Sequence, residues 1–230
     1  MYTSINALIG LQIKSVVPNK KLLSTSIIMG MILPDLDLIL DYLLSLFLKF
    51  NFLNESYISN SIFHSLFMIP FLSLLILIYL EYKNKNNIAI VIGLSIGMLI
   101  HIIFDIITFQ SVGIFFPLFD IKSNFNLSNY FNIQISNFFS KVLYAFEFFF
   151  FRLYTWMIMN LIIDKKNDYF KIIKKLSIWM KLQLYIFLLF LLLIYFGAND
   201  SIFSNLFGIL YTPSFLMALY ITYKTRKIIN

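Results

Sequence analysis

Six long apolar stretches dominate this chain and leave it little choice of solvent. They run over about Leu22–Phe47, Ser61–Tyr82, Ile88–Phe109, Phe138–Ile163, Leu182–Phe196 and Ile202–Tyr223. A transmembrane helix needs about 20 predominantly apolar residues, so only the stretch from Leu182 is short. Composition agrees with that reading: 60% of the 230 residues are hydrophobic and 13% are charged, against about a quarter charged in soluble domains. The expected fold is all-α, a polytopic membrane helical bundle of about six transmembrane helices. Residues 1–230 form one integral membrane domain, with chemistry-bearing motifs in 1–119 and C-terminal helices over 138–230.

Local signals refine this outline. Pro34 lies inside the first span, removes a backbone donor and is expected to break the helix there. Irregular backbone at that depth is tolerated only where protein or a wet cavity surrounds it. A short amphipathic helix is expected before the first span. The opening residues MYTSINALIG lack a basic start and a small-residue cleavage site, so no cleavable signal is expected. The chain has no cysteine, which excludes disulfides and thiolate metal sites.

The net charge of +7 reads as a topology signal. With both termini in the cytoplasm, 14 of the 18 basic residues fall inside: Lys14, Lys20, Lys21, Lys83, Lys85, Lys165, Lys166, Lys171, Lys174, Lys175, Lys181, Lys224, Arg226 and Lys227. This asymmetry predicts a multi-pass protein of the cytoplasmic (inner) membrane with both ends cytoplasmic. Spread over loops without a binding motif, these charges give no nucleic-acid surface. The densest basic run, Asp164–Lys181, reads as a cytoplasmic, lipid-facing loop. The Asn-, Ser- and Phe-rich insert Gln110–Asn137 lies on the outer side and is long enough to serve as a lid or binding loop.

Against this apolar background the polar residues are conspicuous. A charge at bilayer depth costs about 2.5–3.5 kcal/mol. The first span nevertheless carries Asp35, Asp37 and Asp41, the second opens with His64 and Ser65, and the third carries His101 and Asp105. Asp35 and His101 each lie 13 residues past the cytoplasmic start of their span, about 20 Å deep. His64 enters from the opposite side, so the three segments converge in the outer half of the bilayer. His101 and Asp105 are i and i+4 and share a helix face. Neutral imidazole with ionised carboxylate is a ligand set for a divalent metal, with Zn²⁺ first and Mn²⁺ second. Asp35, Asp37, His64, His101 and Asp105 are therefore the expected metal ligands, and Asp35 or Asp37, where it is not a ligand, the expected general base. Glu147 and Arg152, in AFEFFFFRLY, are candidate accessory residues: the first could complete the coordination and the second could clamp a phosphate. Their alternative role is mutual neutralisation, or neutralisation of Asp41, inside the bundle.

The elements GMILPDLD, then HS at the opening of the second span, then GMLIHIIFDIITFQSVGIFFP resemble the YdjM-like family of LexA-regulated, predicted inner-membrane metal-dependent hydrolases. The last element matches at Gly97, His101, Asp105, Thr108, Gly113 and Pro117, and the motifs cover roughly Met1–Phe119. The resemblance implies a distant similarity to zinc-dependent phospholipase C enzymes, hence an all-helical metal cluster and phosphoester substrates; it adds Ser65 and Thr108 as accessory candidates. The chain departs from the pattern in four places. Asn6 stands where the family has a histidine, Ser59 and Asn60 where it has His and Arg, and Phe63 where it has Thr. Two ligand positions are thereby absent, which points to a one- or two-metal site.

The function expected from these observations is a membrane-embedded hydrolase acting on a phosphoester or ester of a lipid or lipid-linked substrate. An ion-binding transporter and a catalytically inactive membrane scaffold are the alternatives. The transporter would require repeat symmetry, and the sequence shows no internal repeat.

Overall fold

A computed structural model describes residues 3–13, 22–48, 62–85, 87–107, 113–117, 133–164 and 170–229. The regular elements are helices: α1 Thr3–Ile13, α2 Leu23–Ile32, α3 Leu36–Leu48, α4 Met68–Tyr82, α5 Ile88–Ile107, α6 Ile133–Asp164, α7 Phe170–Tyr195, α8 Asp200–Lys224 and the short α9 Arg226–Ile229. Four helical segments are long and apolar enough to cross a membrane: Ile88–Ile107, Phe138–Asp164, Ile172–Tyr195 and Asp200–Lys224. They correspond to the last four expected spans.

The first span is broken where Pro34 stands. A 3₁₀ turn over Leu33–Asp35 separates α2 from α3, because proline cannot donate to the residue one turn back. The second span is corrected. Its helix starts at Met68, and residues 62–67 form turns, so α4 has 15 residues and covers about 22 Å. The fifth span is corrected in the other direction. Lys171, Lys174, Lys175 and Lys181 suggested a loop, yet α7 begins at Phe170 and runs unbroken through them. Long lysine side chains carry their charge outward from a helix end, so a helix tolerates them there. The last two long helices are joined by a turn at Gly197, whose φ of 65° is left-handed backbone that glycine adopts freely.

The helix before the first span exists, but its buried face is the polar one. Thr3, Ser4 and Asn6 point inward with Ala7, Gly10 and Leu11, and α1 packs against α2 and α6. It belongs to the interior rather than to an interfacial surface.

Two packing devices hold the bundle together. Between α2 and α5 the devices are small residues. A Cβ on Gly97 would meet the carbonyl of Ile27 and come within 2.9 Å of Gly30 Cα and Met31 N, and one on Gly30 would strike the Leu94 carbonyl. Such close backbone approach suits lipid, where helices gain association from packing rather than from water exclusion. Among α6, α7 and α8 the device is aromatic. Phe148 stacks on Phe190 with ring centroids 5.1 Å apart, Phe190 meets Phe203 edge-on at 5.0 Å, and Phe207 stacks on Tyr211 at 5.2 Å. Outward faces are apolar as well, with Leu74, Ile78, Ile96, Leu99, Leu188 and Leu192 exposed.

Candidate metal centre

The break at Pro34 does more than bend the chain. It places Asp35 on the 3₁₀ turn and Asp37 in the first turn of α3, at a helix N-terminus where unsatisfied N–H groups favour negative charge. His101 and Asp105 come from the far end of α5. The glycine contacts bring that helix against α2, so His101 faces the end of α2 just before the break. His64 arrives from the turn that precedes α4. This turn is pinned to residues 113–117: Leu66 N–H donates to the Ile114 carbonyl at 2.9 Å and Ser65 Oγ to the Phe116 carbonyl at 2.6 Å. Ser65 thus holds the turn that carries His64.

All five residues are buried, with Asp105 the most exposed at 2%. His101 Nδ1 lies 2.7 Å from the Met31 carbonyl. A carbonyl only accepts, so Nδ1 carries the proton and Nε2 a lone pair in the tautomer in which the Asn6 amide, 2.8 Å from Nδ1, presents its oxygen. His64 Nδ1 lies 3.1 Å from Asp37 Oδ2, which also accepts from Phe63 N–H at 3.0 Å. His64 faces a carboxylate at each ring nitrogen, and with its proton on Nδ1 toward Asp37 its Nε2 keeps a lone pair. The two Nε2 atoms face each other at 3.2 Å. Asp105 Oδ2 stands 3.0 Å from the first and 3.2 Å from the second. Asp35 Oδ1 stands 4.0 and 3.7 Å away.

In these tautomers the ligand atoms turn their lone pairs toward one point, and a cation among them, a metal ion or a proton, relieves their repulsion. The spacing suits a metal. Zn–N and Zn–O bonds of about 2.0–2.1 Å put tetrahedral ligands about 3.3 Å apart, inside the observed range of 3.0–4.0 Å. Asp35, His64 and His101 offer ligand atoms that all lie within 4.8 Å of one another and can hold a metal ion. Each imidazole is backed on its far side by a carboxylate or a carbonyl, as metal-bound histidines ordinarily are. Asp35 Oδ1 and Asp37 Oδ1 are buried without a hydrogen-bond partner.

The remaining candidates are distributed around this core. Glu147 on α6 accepts from Ser4 N–H at 3.1 Å and from Ser4 Oγ. Arg152 donates to the Met180 carbonyl at 3.0 Å, at the α6–α7 interface. Thr108, Ser59, Asn60 and most of the Gln110–Asn137 insert lie outside the described residues, and Asp41 is buried one turn beyond Asp37.

Sequence reasoning missed the contribution of α1. Thr3 Oγ1 donates to Asp35 Oδ2 at 2.6 Å and also contacts the Tyr211 hydroxyl of α8. The Asn6 amide lies 2.8 Å from His101 Nδ1. Position 6 therefore sits behind His101 rather than among the converging atoms. At Phe63 the contact with Asp37 uses the backbone N–H, which any residue but proline supplies. The one available signal was the polar spacing Thr3, Ser4, Asn6 in an otherwise apolar helix.

Fold and site together define an integral membrane helical protein with a buried His–Asp cluster suited to a metal ion. The chain belongs to the YdjM inner membrane protein family, whose family model matches residues 3–201, from α1 to the start of α8. No curated protein and no solved structure matches it.

Proposed function

We propose that the protein is a metal-dependent hydrolase of the inner membrane that cleaves a phosphoester or carboxylic ester of a lipid or lipid-linked substrate. One observation carries this reading: two imidazole Nε2 atoms and two carboxylates converge at a buried point while the far side of each ring is already hydrogen-bonded. His64, His101, Asp35 and Asp105 would hold the ion. Zn²⁺ suits this mixed set, and Mn²⁺ tolerates it. Such an ion supplies a nucleophilic water near neutral pH and polarises the ester oxygen. The chain's own residues orient and accept. Asp37 fixes the tautomer of His64 through Oδ2, and its free Oδ1 is assigned as the proton acceptor. Glu147 anchors α1 through Ser4, and Arg152 braces α7 from outside the site.

Both termini are assigned to the cytoplasm on the distribution of basic residues. A cysteine at Ser201, beside the turn between α7 and α8, should then react with an impermeant maleimide on intact cells; reaction only after lysis would reverse the orientation.

Activity is tested in proteoliposomes carrying a panel of fluorogenic phospholipid and acyl esters. Chelation should abolish release and Zn²⁺ or Mn²⁺ should restore it. Release that survives both chelation and His101→Ala would sink the proposal.

A further inference from the structure

A cavity of about 410 Å³ opens beside the cluster, between α1, α5 and α6. Two polar residues line it, Asn6 and Asp105, and both touch the histidine pair. The other walls are apolar. Phe139, Leu143, Phe146 and Phe150 of α6 face Ile5 and Ile9 of α1 across it. On α6 the four fall at i, i+4, i+7 and i+11, one face of the helix, and Phe139 to Phe150 spans about 16 Å.

We infer that this groove seats one acyl chain of a membrane lipid, with the lipid's ester or phosphoester linkage against Asp105. Three observations agree on that occupant. The length is about half of the ~30 Å hydrocarbon core, the depth of a single leaflet. The one charged residue stands at one end: Asp105 is two residues from the end of α5, and Phe139 lies at the start of the membrane-spanning part of α6. An amphiphile with a polar linkage and an apolar tail has the same polarity profile. Finally, Ile107 and Phe139 are 60% and 56% exposed, so the mouth faces the bilayer, where acyl chains are the solvent. The cavity volume falls within the usual range of ligand pockets, about 300–1,000 Å³.

This inference rests on the hydrolase reading for its purpose but not for its test. Purified protein is reconstituted in nanodiscs containing a phospholipid with a diazirine in one acyl tail, illuminated and mapped by mass spectrometry. Label should concentrate on Ile5, Ile9, Leu143, Phe146 and Phe150. Leu143→Trp fills the groove from α6 and Ile9→Trp fills it from α1. Either should reduce labelling of the opposite wall about tenfold, the effect of overpacking a filled site, with bound divalent metal unchanged. Two such variants keep the test decisive if one fails to fold. Label spread evenly over all lipid-facing helices, or unaffected by both variants, overturns the inference and leaves the hydrolase reading standing. Concentrated label on a protein that binds no metal supports the groove and overturns the hydrolase reading.

Discussion

The two halves of the bundle treat polarity in opposite ways. In α6–α8 the interior is aromatic, and its polar side chains are mostly paired off: Tyr154 with Thr222 at 2.5 Å, and Gln183 Nε2 with Ser214 at 3.1 Å. Around α1–α5 the interior holds four aspartates and two histidines, and Asp35 and Asp37 each keep an oxygen without a hydrogen-bond partner. Both halves meet the same solvent. In hydrocarbon an unsatisfied carboxylate is expensive, so it persists where something binds it. The comparison puts the candidate site in the broken first span, α5 and the turn before α4, and gives α6–α8 the aromatic packing.

The largest effect should come from breaking the aromatic packing. Phe207 is fully buried among Phe148, Phe190, Tyr144 and Tyr211. In a soluble core Phe→Ala costs about 3–5 kcal/mol. Here helices unfold into lipid rather than water, so part of the transfer contribution is absent, and about 2 kcal/mol is expected for Phe207→Ala. Denaturant titration in mixed micelles measures it, and metal bound per folded protein should not change. A loss of metal from the folded variant would dissolve the division between the halves.

The converse variant sharpens it. Asp37→Asn keeps the packing volume but weakens the contact that orients His64. Loss of such a backing partner typically lowers metal affinity about 10- to 100-fold. Competition with a fluorescent chelator reads that shift, and thermal stability of the metal-free protein should stay near wild type. Unchanged affinity would remove Asp37 from the site.

Both halves were partly legible in sequence. Uninterrupted apolar runs gave α5 and α8 to within two residues, while α6 starts at Ile133, five residues before the expected Phe138, and Pro34 marked the break. Misplaced boundaries arose where charge and burial disagree: the lysines of α7 imitate a loop, and the apolar residues before Met68 imitate a helix. At the site, His101 and Asp105 were readable because i,i+4 spacing is local. Their convergence with Asp35 and His64 was inferred from depth alone. What could not be read were roles set by tertiary direction. Asp35 and Asp37 are two residues apart, yet one aims an oxygen at the paired nitrogens and the other backs His64. For Arg152 the sequence offered a phosphate clamp or charge neutralisation, and neither reading foresaw its contact with the Met180 carbonyl of α7. The amphipathic α1 was expected, but that its polar face is the buried one was not, because sequence shows polarity and not what lies opposite.

The facing Nε2 atoms of His64 and His101 are assigned a shared metal ion. Elemental analysis of protein purified without chelator, in parallel with His101→Ala, tests this assignment. About one divalent ion per chain is expected in the wild type, as for a four-ligand mononuclear site, and almost none in His101→Ala while the variant still unfolds cooperatively. Wild-type protein free of divalent metal, or a variant that binds as much as wild type, would contradict it.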